Sequence, residues 1–357
     1  MRNVGQQALD QSSARASSVG DDLLAENARR ASFLAADVGG THARIGLIDP
    51  NANQHAPAIV HYKKFACADY ASLAEILREF VRGIDAPSVT QACIACAGYA
   101  HGDNLINANL PWQVSISEIC RDLGLQRVTL VNDFKAVAYA THFHDVDDST
   151  TIAGDGPIKL NLPRLVIGPG TGLGAAVLIP GEPRPGILTS EAGHAALAAR
   201  TSLELQIVRR LGNGSAHILN EQIVSGPGLL TLYRVLCEIH AATPQFTDPA
   251  QVTAAALAGT DAIAGECVEV FCAWLGSLVG DLVMSFGAYG GVYLAGGVLP
   301  QILPLLQHST FVERFRSKGA LREVLEQVPV RLIEHGQLGV TGAAHWFLDN
   351  EYQTEQN

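Results

Sequence analysis

Asn132-Asp133 closes the apolar, β-branched run Val128-Thr129-Leu130-Val131, and the C-terminal end of a strand is where α/β proteins put reactive groups. A carboxylate there can take the proton of a substrate hydroxyl while the Asn132 amide binds a neighbouring one, a contribution of ~10²–10⁴ in rate. Asp133 would serve equally well as the N-cap of a helix running from Phe134 to Thr141. Glu191-Ala192-Gly193-His194 sets a carboxylate and an imidazole three residues apart beside a glycine. Such a pair suits a polyhydroxy ligand, because each buried hydroxyl left unpaired costs ~1–3 kcal/mol. A zinc site would need a third ligand at recognisable spacing, and none accompanies them; the structural alternative is a surface loop with a capping glutamate. Glu221, just before Ile223-Val224-Ser225-Gly226-Pro227-Gly228, reads by chemistry alone as a solvated helix charge. Asn109-Leu110-Pro111-Trp112 offers an amide and an aromatic ring, fit for a pyranose or for stapling a loop.

Glycine is the second signal. Ala36-Asp37-Val38-Gly39-Gly40-Thr41 joins an apolar strand to a second one, Ala43 to Ile48. The two glycines let a backbone approach an anion, Thr41 adds a hydroxyl, and Asp37 can hold a hydrated Mg²⁺. An ordinary hairpin turn has the same composition. Gly168-Pro169-Gly170-Thr171-Gly172-Leu173-Gly174 follows the strand Leu165-Val166-Ile167, and glycine pairs at 290–291 and 296–297 enclose another strand. Glycine this dense at strand ends predicts close approach of a ligand. A dinucleotide fingerprint fails, since Ala175 stands where its third glycine is required, and no Gly-Lys dipeptide exists for a Walker loop. A nucleotide, if one binds, would be held by paired hairpins.

The elements that must position these groups follow from periodicity. Leu34 to Ile48, Ile59 to Phe65 and Gln91 to Ala97 read as strands, with an amphipathic helix at Ser72 to Ile84. Leu165 to Ile167 and Gly174 to Ile179 open a second module in the same way, which suggests an internal duplication. Helical spacing covers Ser202 to Leu211, Pro227 to His240 and Ala262 to Phe286, and Gly339 to His345 reads as a turn entering a closing helix. The expected fold class is α/β, in two modules.

A chain of 357 residues, 48% of them apolar, can bury a sizeable core. Its net charge of −11 argues against sequence-independent binding to nucleic acid or an anionic membrane. Seven cysteines without regular spacing point to reduced thiols in a cytoplasmic protein, and Cys93-x-x-Cys96, inside an apolar strand, to buried thiols. Residues 1–32 are polar, lack the apolar core of a secretory signal, and read as a flexible extension. The uncharged run 282–299 has membrane-spanning length, but its five glycines and its change of period make it a helix end plus a core strand.

Taken together, DVGGTHAR (37–44), NLPW (109–112), VNDFKAVA (131–138), GPGTGLGAA (168–176), SEAGH (190–194), NEQIVSGPG (220–228), GGVYLAGGV (290–298) and GVTGAAH (339–345) resemble the bacterial glucokinase family of the actin-like ATPase superfamily, from about residue 33 to 348. The resemblance implies two actin-like, ribonuclease H-like domains with a cleft between them: 33–143 plus 338–357, and 144–337. It implies transfer of the ATP γ-phosphate to the 6-hydroxyl of glucose, with ATP and Mg²⁺ as cofactors and a homodimer as the assembly. By the same resemblance Asp133 is the base; Asn109, Asn132, Glu191, His194 and Glu221 contact glucose. Ala36, Asp37, Val38, Gly39, Gly40 and Thr41 form the first phosphate loop, Gly170, Thr171, Gly172 and Gly174 the second, and Gly296-Gly297 the adenosine-side turn, with Asp37 holding Mg²⁺ through water. His42 stands where many members have Asn, and the zinc-binding cysteines of the related ROK kinases are absent. The alternatives are a catalytically silent glucose sensor, a hexokinase of broader sugar range, and an ATPase without a sugar substrate.

Overall fold

The computed structural model describes residues 31–53, 56–84, 89–106, 110–143, 148–212, 217–334 and 336–354. The first sheet is built from β1 (Phe33–Val38), β2 (His42–Asn53), β3 (Ala56–Ala66), β4 (Gln91–Cys96) and, beyond a small sheet of β5 (Tyr99–His101), β6 (Asn104–Ile106) and β7 (Val114–Ser115), β8 (Arg127–Val131). Its order is β3-β2-β1-β4-β8. β1 pairs antiparallel with β2 and parallel with β4, so the strand is buried on both faces, which is why it reads as a continuous apolar run. Leu34, Ala36 and Val38 face helix α1 (Leu73–Arg82) and helix α2 (Ile116–Leu123). Each of these helices opens on a serine whose side chain accepts the N–H of a glutamate three residues on.

Helix α3 (Asp133–Ala140) follows β8 and leads into the second module. There β9 (Ser149–Ala153), β10 (Arg164–Pro169), β11 (Leu173–Ile179) and β12 (Gly186–Ser190) precede helices α4 (Ser202–Gly212), α5 (Gly226–Ile239), α6 (Pro249–Ala258) and α7 (Ala262–Phe286). Then come β13 (Gly291–Leu294), three short helices α8 (Leu303–His308), α9 (Phe311–Arg316) and α10 (Arg322–Glu326), β14 (Val330–Ile333) and the closing helix α11 (Leu338–Thr354). The second sheet runs β12-β11-β10-β13-β14-β9. Its first five strands repeat the first sheet: a hairpin strand pair and a third antiparallel strand on one side, two parallel strands on the other. The duplication inferred from two glycine hairpins is therefore present in the topology, with β9 as an added antiparallel edge.

One face of the second sheet carries the large core with α5, α6, α7 and α9. The other face packs Val166, Ala176, Tyr293 and Ala295 against Val137 and Ala138 of α3, while Ala136 of the same helix joins Val340, Ala343 and Phe347 of α11 on the first sheet. α3 is thus clamped between the two halves, and its alanines permit the approach. α7 is long and apolar enough to cross a membrane, yet most of it is buried in this core. The run 282–299 divides into the end of α7 and the buried strand β13, as expected. Gly339 to His345 is not a turn: α11 has begun by Leu338, and its glycines serve contact. A Cβ on Gly342 would lie 1.8 Å from the Ala136 carbonyl oxygen, and one on Gly339 2.5 Å from Asp37 Cγ. All seven cysteines are without disulfides, Cys93 and Cys96 buried on opposite faces of β4.

Candidate active site

The turn of the β1–β2 hairpin is closed by the Gly39 N–H donating to the His42 carbonyl at 3.0 Å; that of β10–β11 by Gly170 donating to Gly172 at 2.8 Å. The two tips meet across a cleft of about 1050 Å³, with Thr41 Oγ1 3.3 Å from Thr171 Oγ1. Glycines thought to admit a ligand divide into two groups. A Cβ on Gly170 or Gly297 would meet nothing within 4 Å, so these face open space in the cleft. On Gly168 it would fall 2.5 Å from the Ala295 carbonyl, on Gly296 2.5 Å from that of Pro169, and on Gly174 1.9 Å from the Phe134 ring. Those three must be glycine because neighbouring protein leaves no room for a Cβ, although all three also line the cleft. Gly296, with φ +91°, also needs the left-handed region.

The C-terminal end of β8 delivers Asn132 and Asp133 to the cleft floor. The helix cap is Asn132, whose Oδ1 accepts the Lys135 N–H at 2.9 Å, and not Asp133. Asp133 is released from capping; its Oδ1 accepts the neighbouring Phe134 N–H at 2.8 Å. Loss of hydration, reinforced by the charges of Asp37 and Glu191, pushes the half-buried Asp133 carboxyl up to about 7. A carboxylate poised there at neutral pH can accept a hydroxyl proton.

Asp37 is buried at the end of β1 and lies directly opposite Arg44 in the hairpin register, with Arg44 Nη1 3.2 Å from its Oδ2. That pairing gives Arg44 a role the motif alone did not assign, although counting residues around the turn would have found it. His42 lines the cleft beside Lys64 and Arg44; burial and those two cations hold its imidazole below its ordinary value, hence neutral at pH 7. Among the described residues no group of three or more His, Cys, Asp and Glu could hold a metal ion. The donors at hand are carboxylate oxygens with mutual repulsion between Asp37 and Asp133, which suits a hard cation bound mostly by water and phosphate.

Glu191, His194 and Glu221 converge on the opposite wall. His194 Nδ1 is 4.0 Å from Glu221 Oε1, and Glu221 Oε2 accepts the Leu173 N–H at 3.4 Å. Gly193 is what lets them meet, since its Cβ would sit 3.1 Å from Glu221 Oε2. Glu221 is therefore a half-buried cleft residue rather than a solvated helix charge. Asn109 lies outside the described residues. Trp112 fits the loop-staple alternative: its Nε1 donates to the Cys67 carbonyl at 3.3 Å and its ring packs on the first core. Sequence reasoning missed the wall formed by Pro227, Leu229, Pro249, Ala250, Thr253 and Gln301 beyond Gly297, because three separate helical segments contribute to it. Its apolar members Pro227, Leu229, Pro249 and Ala250 suit a flat base.

Two sheets of one topology, a helix clamped between them and glycine hairpins facing across a cleft define the actin-like sugar-kinase class. A family model described as Glucokinase matches residues 34–350, and the chain belongs to the glucokinase family. The "Glucokinase-like protein" of Xylella fastidiosa (strain Temecula1 / ATCC 700964) is 49% identical over 323 residues, covering 90% of this chain and 96% of that protein. The "Glucokinase" of Saccharophagus degradans is 36% identical over 315 residues, 88% of this chain and 97% of that one. The crystal structure of a glucokinase from an Antarctic psychrotroph matches with a TM-score of 0.74 at 34% identity, covering 88% of this chain and 98% of its own.

Proposed function

We propose that this protein transfers the γ-phosphoryl group of ATP to the 6-hydroxyl of glucose, giving glucose 6-phosphate, with Asp133 as general base. The observation that carries the reading is the Asp133 carboxyl, uncapped and raised to about 7, between the glycine tips and the Glu191–His194–Glu221 wall. The sugar would lie against that wall, its hydroxyls donating to Glu191 and Glu221 and accepting from His194 and the Asn132 amide. Gly39, Gly40, Thr41, Gly170, Thr171 and Gly172 would cradle the phosphates, and the base would rest beyond Gly297. Phosphoryl transfer needs alignment and charge neutralisation more than covalent chemistry. Asp133 would orient the attacking oxygen and take its proton as the bond to phosphorus forms. Asp37 would hold Mg²⁺ through water, and the ion would supply neutralisation of phosphate charge.

The reading takes residues 33–143 with 338–357 as one lobe and 144–337 as the other, closing over the sugar so that water is excluded from the phosphate. The reduced thiols support a cytoplasmic protein, and a homodimer is expected from the family. A coupled assay of ATP consumption across a hexose panel tests the proposal. Stimulation by glucose supports it, and equal stimulation by mannose or fructose selects a broader hexokinase. Glucose binding without turnover would leave a sensor.

A further inference from the structure

Arg164 and Tyr293 are among the largest side chains sealed inside the molecule, 1% and 0% exposed. They share a face of the second sheet: Val166, two residues beyond Arg164, is the register partner of Tyr293, and both belong to the cluster packed on α3. Arg164 Nε and Nη1 and the Tyr293 hydroxyl have no hydrogen-bond partner among the described residues. Arg331, the register partner of Tyr293 on β14, brings a second buried guanidinium, which donates from Nη1 to Gly154 O and from Nη2 to Gly156 O, each at 2.9 Å. Both arginines act electrostatically on the tyrosine, and Arg164 acts on His142, just past α3. Among the described residues no carboxylate pairs with either arginine. The foot of α3 therefore gathers two buried cations and a set of unmet donors.

We propose that Arg164 and Tyr293 bind a small monovalent inorganic anion of chloride size in this interior site. Water could accept from the same N–H and O–H groups, but it would leave two guanidinium charges uncompensated in low dielectric. A dianion such as sulfate would carry a larger desolvation cost into so closed a place. The site stands at the opposite end of α3 from Asp133, and its occupant links β10 and β13 to the segment that joins the two halves. It is separate from the cleft and needs no nucleotide or sugar.

Thermal unfolding of the full chain in sodium chloride and in sodium gluconate at equal ionic strength tests the proposal. Wild-type protein is expected to melt about 2–4 °C higher in saturating chloride, a ligand effect of ordinary size for a protein this long. Arg164→Met should abolish the difference and Tyr293→Phe, which keeps the ring, should reduce it. Should Arg164→Met fail to fold, Tyr293→Phe and a bromide soak of wild-type crystals decide, with an anomalous peak expected between Arg164 Nε and the Tyr293 hydroxyl. Identical melting in the two salts with no bromide peak, the signature of ordered water only, overturns it. So does a chloride effect that survives unchanged in Tyr293→Phe.

Discussion

The reactivity proposed for Asp133 follows from its being denied the helix cap. Asn132 satisfies the Lys135 N–H, so the aspartate can face the cleft, where burial and the charges of Asp37 and Glu191 raise it to about 7. The expected kcat/KM therefore falls about tenfold per pH unit below about 7, and Asp133→Ala should lower kcat by ~10²–10⁴ while glucose still binds. A pH-rate profile and a binding titration check both, and near-normal turnover in the variant would sink the assignment. Stability moves the other way. A raised carboxyl destabilises the fold where it must ionise: the cost is absent below pH 3.8, grows as pH rises and is complete above about 7. Asp133→Asn should thus gain more stability at pH 8 than at pH 5, by about 1–2 kcal/mol once solvent access is discounted, as urea titrations at the two values would read. Glu221→Gln, which weakens the acceptor for Leu173 N–H and the partner of His194, should raise the glucose KM about tenfold and leave the ATP KM nearly unchanged. Asp133 stands in a short local motif and was legible in the sequence, whereas Glu221, a solvated helix charge by local chemistry, entered only through the family resemblance. Asp133's raised value was not legible, because its burial and the charge of Asp37 reach it only through the fold.

At the scale of elements, glycines do most of the positioning, and they do it in two ways. Gly339 and Gly342 bring α11 onto Asp37 and α3, where a Cβ would collide with Asp37 Cγ at 2.5 Å and with Ala136 O at 1.8 Å. Gly342→Ala should destabilise by about 1–3 kcal/mol through helix separation, measured by chemical denaturation. Wild-type stability in that variant would mean the helices shift freely. Strand periods and glycine hairpins were readable because turn chemistry acts within a few residues. The start of α11 was misread as a turn, since small residues that signal loops locally are also what close helix packing demands.

For the whole molecule, the contact of Thr41 with Thr171 joins the two halves at the mouth of the cleft. If nucleotide and sugar enter there, the tips must part in every cycle. A Thr41→Cys, Thr171→Cys double variant should lose turnover when oxidised and regain it on reduction; activity that persists in the cross-linked protein would show another route of entry. The other cysteines, six of them buried and Cys120 only partly exposed, favour the intended pair. By itself the sequence determined two α/β modules, their glycine hairpins and the candidates Asp133, Glu191 and His194, because hydrophobic period and turn composition are encoded over a few neighbours. Only the tertiary structure decided which glycines face open space and which press against protein, that Asn132 caps while Asp133 lines the cleft, and that Arg164 is sealed beside Tyr293 at the foot of α3. Those outcomes depend on segments far apart in the chain approaching within a few ångströms, and no local pattern records that approach.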